Sequence, residues 1–182
     1  MSRWLSAILL LPLAAGCCCW GLNDPGHVPA SDLAGVNSLN LEGQGDITVT
    51  VGSEPYGIDT ADAPGSSSKV KGNDLTLSVQ MGESSASLPQ LNQITIAELT
   101  GLKLQGVDVT DLAIVKSGWG MVPASGRVTN LEVDATGRCT IDLTALKAEN
   151  VTVNVTSDDT PVDVCATGKL TVNIDGNGSV VR

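Results

Sequence analysis

The C-terminal half of the chain repeats with a period of about 20 residues, and this repeat limits the possible folds more than any other feature. Leu112, Leu131, Val151 and Leu170 are separated by 19, 20 and 19 residues. Two and four residues further on, the same template continues with Ile114, Val133, Val153 and Val172, then Lys116, Ala135, Val155 and Ile174. Each series reaches a turn and then a second aliphatic position, through Gly118, Gly137, Ser157 and Gly176 to Val122, Ile141, Val162 and Val180.

A strand-turn-strand unit of this length cannot bury its apolar face alone, but it can do so against a copy of itself. The repeat therefore predicts an all-β, parallel β-helix-like solenoid with rungs of about 20 residues and equivalent residues in columns. Outward columns would include Glu132-Thr152-Thr171 and Asp134-Asn154-Asn173, whose polar groups can bond along the stack. An antiparallel β-sandwich is the alternative, because turn residues also recur at hairpin spacing.

The template extends towards the N-terminus. Leu39, Leu41 and Ile47 fit it around a Gly-rich turn, and Leu102, Leu104 and Gly106 are predicted to occupy the same first-strand positions as Leu39, Leu41 and Gly43. Residues 60–73 are rich in Gly, Ser and Asp and are predicted to form a loop. Leu75, Leu77 and Val79 alternate as in a strand.

Composition agrees with a thin β-structure and excludes one class of partner. Aromatic residues make up 2% of the chain and Phe is absent, as expected for an interior with little room for rings. The formal net charge is −10. Nucleic acid is therefore not expected as a partner, because phosphate binding requires clustered Lys and Arg.

The first residues predict a targeting signal rather than a folded segment. A short basic start precedes an apolar run, and Leu13-Ala14-Ala15-Gly16-Cys17 resembles the lipobox of bacterial lipoproteins. We therefore expect a signal peptide over 1–16, lipidation at Cys17, a tether over 17–35 and a domain over 36–182. Such a chain would be held to a membrane by its N-terminal lipid, and Cys18 is not the Asp that resembles an inner-membrane retention signal, which favours the outer membrane. An ordinary secretory signal is the alternative.

The domain resembles a known family. Gly43-Gln44-Gly45-Asp46-Ile47-Thr48-Val49 and the tail from Leu143 to Val180 are similar to the opening strand and the closing repeats of the GIN-domain family, the auto-transporter adhesin heads of bacterial envelope proteins. The chain departs from the family pattern at the 156–161 turn, at Cys139 in place of a glycine, and in the Ile94–Leu112 rung, which is predicted to be shorter than the others. The resemblance implies an extracytoplasmic β-helix-like domain and transfers no catalytic residues.

Few residues suggest chemistry. Trp119, between Gly118 and Gly120, is a candidate for ligand binding if it is exposed, and packing against a neighbouring loop is the other interpretation. Asp158 and Asp159 are weak candidates for calcium. The glycine pairs follow the rung and do not form a phosphate loop. No catalytic residue and no cofactor is predicted.

Two functions remain open at this point. One is a cell-envelope binding or structural lipoprotein, adhesin-like and without catalysis, with an envelope protein or a glycan as partner. The other is a polysaccharide-active β-helix enzyme, which would require clustered carboxylates with Lys or Arg in a groove.

The two cysteines of the domain are predicted to be unbonded and mostly buried. Cys139 is expected above Thr160, and Cys165 above Thr144, at opposite ends of a strand segment. This separation of roughly 16 Å, at about 3.3 Å per residue, exceeds the Cα distance that a disulfide allows.

Overall fold

The computed structural model describes residues 28, 30–98, 101–157 and 159–182. The predicted signal peptide and the predicted lipidation site Cys17 lie outside these residues. One helical turn, α1 (Ala30–Leu33), precedes the strands. The strands are β1 (Ser38–Gly43), β2 (Asp46–Val51), β3 (Gly57–Asp62), β4 (Ser67–Lys71), β5 (Asp74–Val79), β6 (Glu83–Leu88), β7 (Gln93–Ile96), β8 (Gly101–Ser117), β9 (Gly120–Thr136), β10 (Cys139–Val155), β11 (Pro161–Ile174) and β12 (Ser179–Val181).

The strands stack into a three-sided, mostly parallel solenoid. The three sides are called faces A, B and C. Face A contains β4, β5, β1, β7 and residues 111–117, 130–136, 150–155 and 169–174 of β8 to β11. Face B contains β3, β6, β2, β12 and residues 101–105, 120–124, 139–143 and 161–164. Face C contains residues 107–109, 125–128, 145–148 and 165–166.

The predicted register of the C-terminal rungs is confirmed. Leu131 pairs with Leu112 on one side and with Val151 on the other, and Val151 pairs with Leu170. The second-strand column is confirmed in the same way, because Ile141 pairs with both Val122 and Val162. The pairs between β8, β9, β10 and β11 are parallel, so the solenoid is the fold and the antiparallel sandwich is not.

Each complete rung has a third strand segment that the repeat did not predict. These face C segments are short, and register shifts separate them from their neighbours, for example between Asp142 and Ala145. Gly126 lies at such a corner with φ +138°, and a Cβ there would overlap the Val107 carbonyl oxygen. Only glycine allows the two corners to approach so closely.

The N-terminal end differs from the prediction in four respects. Residues 60–73 are not a plain loop, because β3 and β4 lie there and pair antiparallel with β6 and β5. Leu102 pairs with Ile47, so it belongs to the second-strand column and not to the first. The rung before Leu112 is of full length, because Ile94 pairs with Ile114. Part of the expected spacer is packed, since Leu33 of α1 is fully buried.

Polar ladders run along face A, and the expected Asp134-Asn154-Asn173 column is one of them. Asn154 donates from Nδ2 to Asp134 Oδ1 at 2.6 Å, and Asn173 donates to Asn154 Oδ1 at 2.7 Å. A second ladder joins Asn130 to Asp111 at 2.8 Å and Asn150 to Asn130 at 3.0 Å. Each amide bonds the rung before it, so the polar face reinforces the register set by the aliphatic interior.

The two cysteines are free, as predicted, although their register was partly wrong. Cys139 is buried and Cys165 is half-buried. Cys165 pairs with Lys147 rather than with Thr144, because a register shift follows Leu143 at the corner between faces B and C.

Candidate ligand-binding groove

Trp119 projects from the turn that joins face A of β8 to face B of β9. Gly118 and Gly120 on either side have φ +76° and +116°, which is conformational space that favours glycine. The tryptophan is 59% exposed. More than half of its surface is therefore accessible to solvent, as the ligand-binding interpretation of Trp119 requires.

Arg138 lies over this indole. Its guanidinium carbon is 5.9 Å from the ring centroid, in the turn one rung further along the solenoid. A cation over a tryptophan at this distance contributes about 0.5–1 kcal/mol at an exposed site. The contact restricts the indole and leaves much of its surface in solvent.

A buried lysine holds the Trp119 turn from inside. Lys116 occupies an inner column and is fully buried. Its Nζ donates to the carbonyl oxygens of Trp119 at 2.6 Å, Ser117 at 2.8 Å and Glu98 at 2.8 Å. The ammonium thus ties together the turns of two successive rungs, with all three of its protons directed at carbonyls.

Burial shifts the ionisation of this group and of the neighbouring thiol in opposite directions. Desolvation lowers the pKa of Lys116, and its charge interaction with Cys139 partly opposes that shift. Desolvation raises the pKa of Cys139, while Lys116 and a hydrogen bond with Thr160 oppose it. Sequence reasoning placed Lys116 in an inner column but gave it no role. The signal was a lone charged residue in an otherwise aliphatic column.

Next to this turn, face B carries a groove of about 500 Å³. Its carboxylate wall is formed by Asp46, Asp59, Asp62 and Glu83, which lie on β2, β3 and β6. Lys103, Met121 and Pro123 line the groove from β8 and β9. Met121 is 56% exposed and follows Trp119 by two residues, so the apolar side of the groove is close in the chain to the Trp119 turn.

One outward position in the lining of the groove, Gly101, has no side chain. Asp46 pairs with Gly101 on β8 and with Glu83 on β6. A Cβ on Gly101 would overlap the Asp46 carboxylate, which occupies that space. The Asp46 carboxylate therefore lies over the Gly101 backbone, at the point where the carboxylate wall meets β8. The groove is thus acidic on the side of β2, β3 and β6 and apolar at Met121 and Pro123.

The calcium candidates gain no support from the described residues. Asp159 is exposed, and Asp158 lies outside them. Within the described ranges, no three His, Cys, Asp or Glu side chains are placed so that they could hold a metal ion. The carboxylate wall was missed because its members come from three strands that are distant in sequence.

Comparison with known families gives one decisive match. Residues 36–182 match the model of the family described as "Putative auto-transporter adhesin, head GIN domain". The chain belongs to the GIN-domain family. The resemblance drawn from the Gly43–Val49 strand and the C-terminal repeats is thereby confirmed.

Membership of the GIN-domain family indicates an adhesin-like role and an extracytoplasmic protein, and it favours binding over catalysis. Comparison with the curated proteins gives no match. Among the described residues, no helix has the length and apolar character needed to cross a membrane.

Proposed function

We propose that this GIN-domain chain is a cell-envelope lipoprotein whose solenoid binds a ligand on face B without catalysing a reaction. The observation that carries the proposal is the exposed indole of Trp119, which precedes the groove residue Met121 by two positions in the chain. Exposed tryptophans with apolar neighbours often anchor ligands, because they bury a large area at small entropic cost. Trp119 is the main contact in this proposal.

The ligand we favour is a glycan without strong negative charge. Carboxylates such as Asp46 and Glu83 accept hydrogen bonds from sugar hydroxyls, and the faces of Trp119, Met121 and Pro123 suit the apolar face of a sugar ring. Four carboxylates against Lys103 make the groove repel polyanions. An envelope protein is the other partner that the same surface could bind.

A glycan array tests this assignment. The full chain in detergent would be compared with Trp119→Ala and with Met81→Ala, a matched control whose 79% exposed side chain does not line the groove. We expect binding to a subset of neutral or basic glycans, a loss of at least about tenfold in Trp119→Ala, and no change in Met81→Ala. Equal binding by all three proteins would refute the role of Trp119.

The same array also tests the alternative that the chain is an enzyme. The carboxylate wall together with Lys103 is the combination that a polysaccharide-active β-helix enzyme requires. New reducing ends or unsaturated sugars that disappear in Asp46→Asn would establish catalysis. We expect no cleavage products.

The anchor is a separate part of the proposal and rests on the lipobox-like residues before Cys17. In a bacterial host, Cys17→Ser should abolish labelling by a fatty-acid probe and move the chain from the detergent phase to the aqueous phase. Mass spectrometry of the parent should show a modified Cys17 at the N-terminus. Membrane fractionation should place the parent in the outer membrane. An unmodified chain cleaved elsewhere would support the ordinary secretory signal.

A further inference from the structure

The last rung of the solenoid ends in an unpaired strand edge. β12 pairs only with Pro161–Asp163 of β11. In the part of the chain that the structure describes, no strand pairs with the outer edge of residues 164–174. Leu170, Val172 and Ile174 continue the inner columns there, yet Val172 is 39% and Ile174 43% exposed, whereas Val153 one rung earlier is fully buried. Such an edge is a template for another strand.

Part of this edge is already capped by the chain itself. Arg182 donates from Nε to the Ala166 carbonyl at 2.9 Å and from Nη2 to the Gly168 carbonyl at 3.3 Å. The cap stops short of residue 169. The opposite end of face A is blunted by β4, whose Lys69 and Lys71 are charges of the kind that protect sheet edges. The open edge is therefore confined to residues 169–175.

At the aliphatic residues of this edge, the backbone N–H and C=O groups point away from β10. The Asp175 N–H donates back to the Val155 carbonyl of the previous rung at 2.8 Å. Because successive residues of a strand direct their amide groups to opposite sides, the N–H and C=O groups of Leu170, Val172 and Ile174 face the free edge.

The sequence of this edge is complementary to itself in one antiparallel register. When two copies pair about Val172, each Lys169 lies opposite the partner's Asp175, and Leu170 lies opposite Ile174. Thr171 then faces Asn173, and Val172 faces its own copy. Every inner side chain meets an inner one, and the one basic residue meets the one acidic residue. Shifting the register by two residues separates the charges, and shifting it by one places aliphatic residues opposite polar ones.

We propose that the GIN domain forms a tail-to-tail homodimer through residues 169–175 of β11 and the following turn, paired antiparallel about Val172. A two-fold axis through Val172 and normal to face A makes this face continuous between the two copies. It also keeps both aliphatic interiors on the same side of the sheet. The contact is closed and symmetric, so it produces dimers and not fibres.

Charge exchange tests the register directly. Lys169→Asp sets like charges opposite each other twice per dimer, and Asp175→Lys does the same with the opposite sign. The double variant restores both pairs in reversed order. Cross-strand charge pairs contribute roughly 0.2–1 kcal/mol each, so we expect each single variant to dissociate about tenfold more readily and the double variant to recover.

Analytical ultracentrifugation of the full chain in detergent, corrected for bound detergent, measures the dissociation constant. A parent that is monomeric at 100-fold its cellular concentration, or a dimer indifferent to both single variants, would overturn the proposal. The first result would indicate that a second copy does not cover the edge, and the second that the dimer forms through another surface. Far-UV circular dichroism checks that each variant is folded.

Hydrogen exchange on the parent keeps the test independent of any variant. The amides of Leu170, Val172 and Ile174 should be protected at high protein concentration and exchange rapidly on dilution. The Asp175 amide, which is bonded within the chain, should be protected at both concentrations. Protection of all four amides that does not change with concentration would contradict dimerisation through this edge.

Discussion

Lys116→Met removes a charge from the interior of the solenoid while keeping the length of the side chain. In the parent, the ammonium donates to the carbonyl oxygens of Glu98, Ser117 and Trp119. The variant leaves these three acceptors without that donor. It also relieves the desolvation that lowers the pKa of Lys116. The two effects oppose each other, so the sign of the change is informative.

The magnitude follows from the bonds and the burial. A hydrogen bond to a charged group contributes about 1.5–3 kcal/mol, and three of them sum to about 4.5–9 kcal/mol. The effective cost of burying one ion is several kcal/mol. Because the carbonyls belong to turns that solvent can partly reach once loosened, we expect the free energy of unfolding to fall by about 3 kcal/mol.

Urea unfolding followed by two signals measures this loss. In a chain that begins at residue 21, Trp119 is the sole tryptophan, so fluorescence reports on the turn and circular dichroism on the strands. Lys103→Met is the matched control, because Lys103 is exposed on face B. It should change the free energy of unfolding by no more than about 0.5 kcal/mol.

A Lys116→Met variant as stable as the parent, or more stable, would refute the reasoning. It would mean that the burial of the ammonium costs more than its three bonds contribute, as occurs for some buried charges. The Trp119 turn would then owe its geometry to the neighbouring glycines alone.

Three further results are expected. Val153→Asp should lower the free energy of unfolding by several kcal/mol, because it buries an unpaired charge, whereas Thr152→Asp, directed outward, should be tolerated in the same denaturation assay; equal losses would contradict the register. Gly126→Ala should cost about 3 kcal/mol, because its Cβ meets backbone at positive φ, while Gly35→Ala, whose Cβ meets nothing, should be near neutral by thermal unfolding. In a Cys139→Ala chain, the free energy of unfolding should rise as pH approaches about 10.4, the ordinary pKa of lysine, because the pKa of Lys116 is lowered in the folded chain and the unfolded chain therefore binds more protons at this pH. In the parent, the raised pKa of the Cys139 thiol opposes this rise. A free energy of unfolding that does not change with pH in the variant would contradict the lowered pKa of Lys116.

The repeat predicted the C-terminal rungs well because each rung pairs with its neighbours in sequence. Equivalent side chains such as Leu131 and Val151 are then neighbours in space, and the period of the sequence is the period of the stack. Face C was missed because its segments are too short to show alternation, and glycine corners such as Gly126 interrupt them.

The N-terminal rungs and the groove could not be predicted in the same way. Leu102 alternates with Leu104 as residues of either strand column do, and only its pairing with Ile47 decides between the columns. The carboxylate wall depends on β3 and β6 lying beside β2, an order that no local pattern contains. Trp119 could be located at a turn from its flanking glycines, but its exposure depends on what lies beside that turn.

The position of β1 has a consequence for how the chain folds as it emerges. Leu39 of β1 pairs with Leu75 on one side and with Ile94 on the other, both of which come later in the chain. The first rung therefore stays incomplete until residue 96 is present, and its closure carries the entropy of long loops. Every later rung adds to an edge that already exists. In a chain that is exported from its N-terminus, residues 38–95 should therefore stay sensitive to protease until residue 96 is present, and protection should then increase by one rung at a time. Limited proteolysis of truncated chains of increasing length would reveal this order.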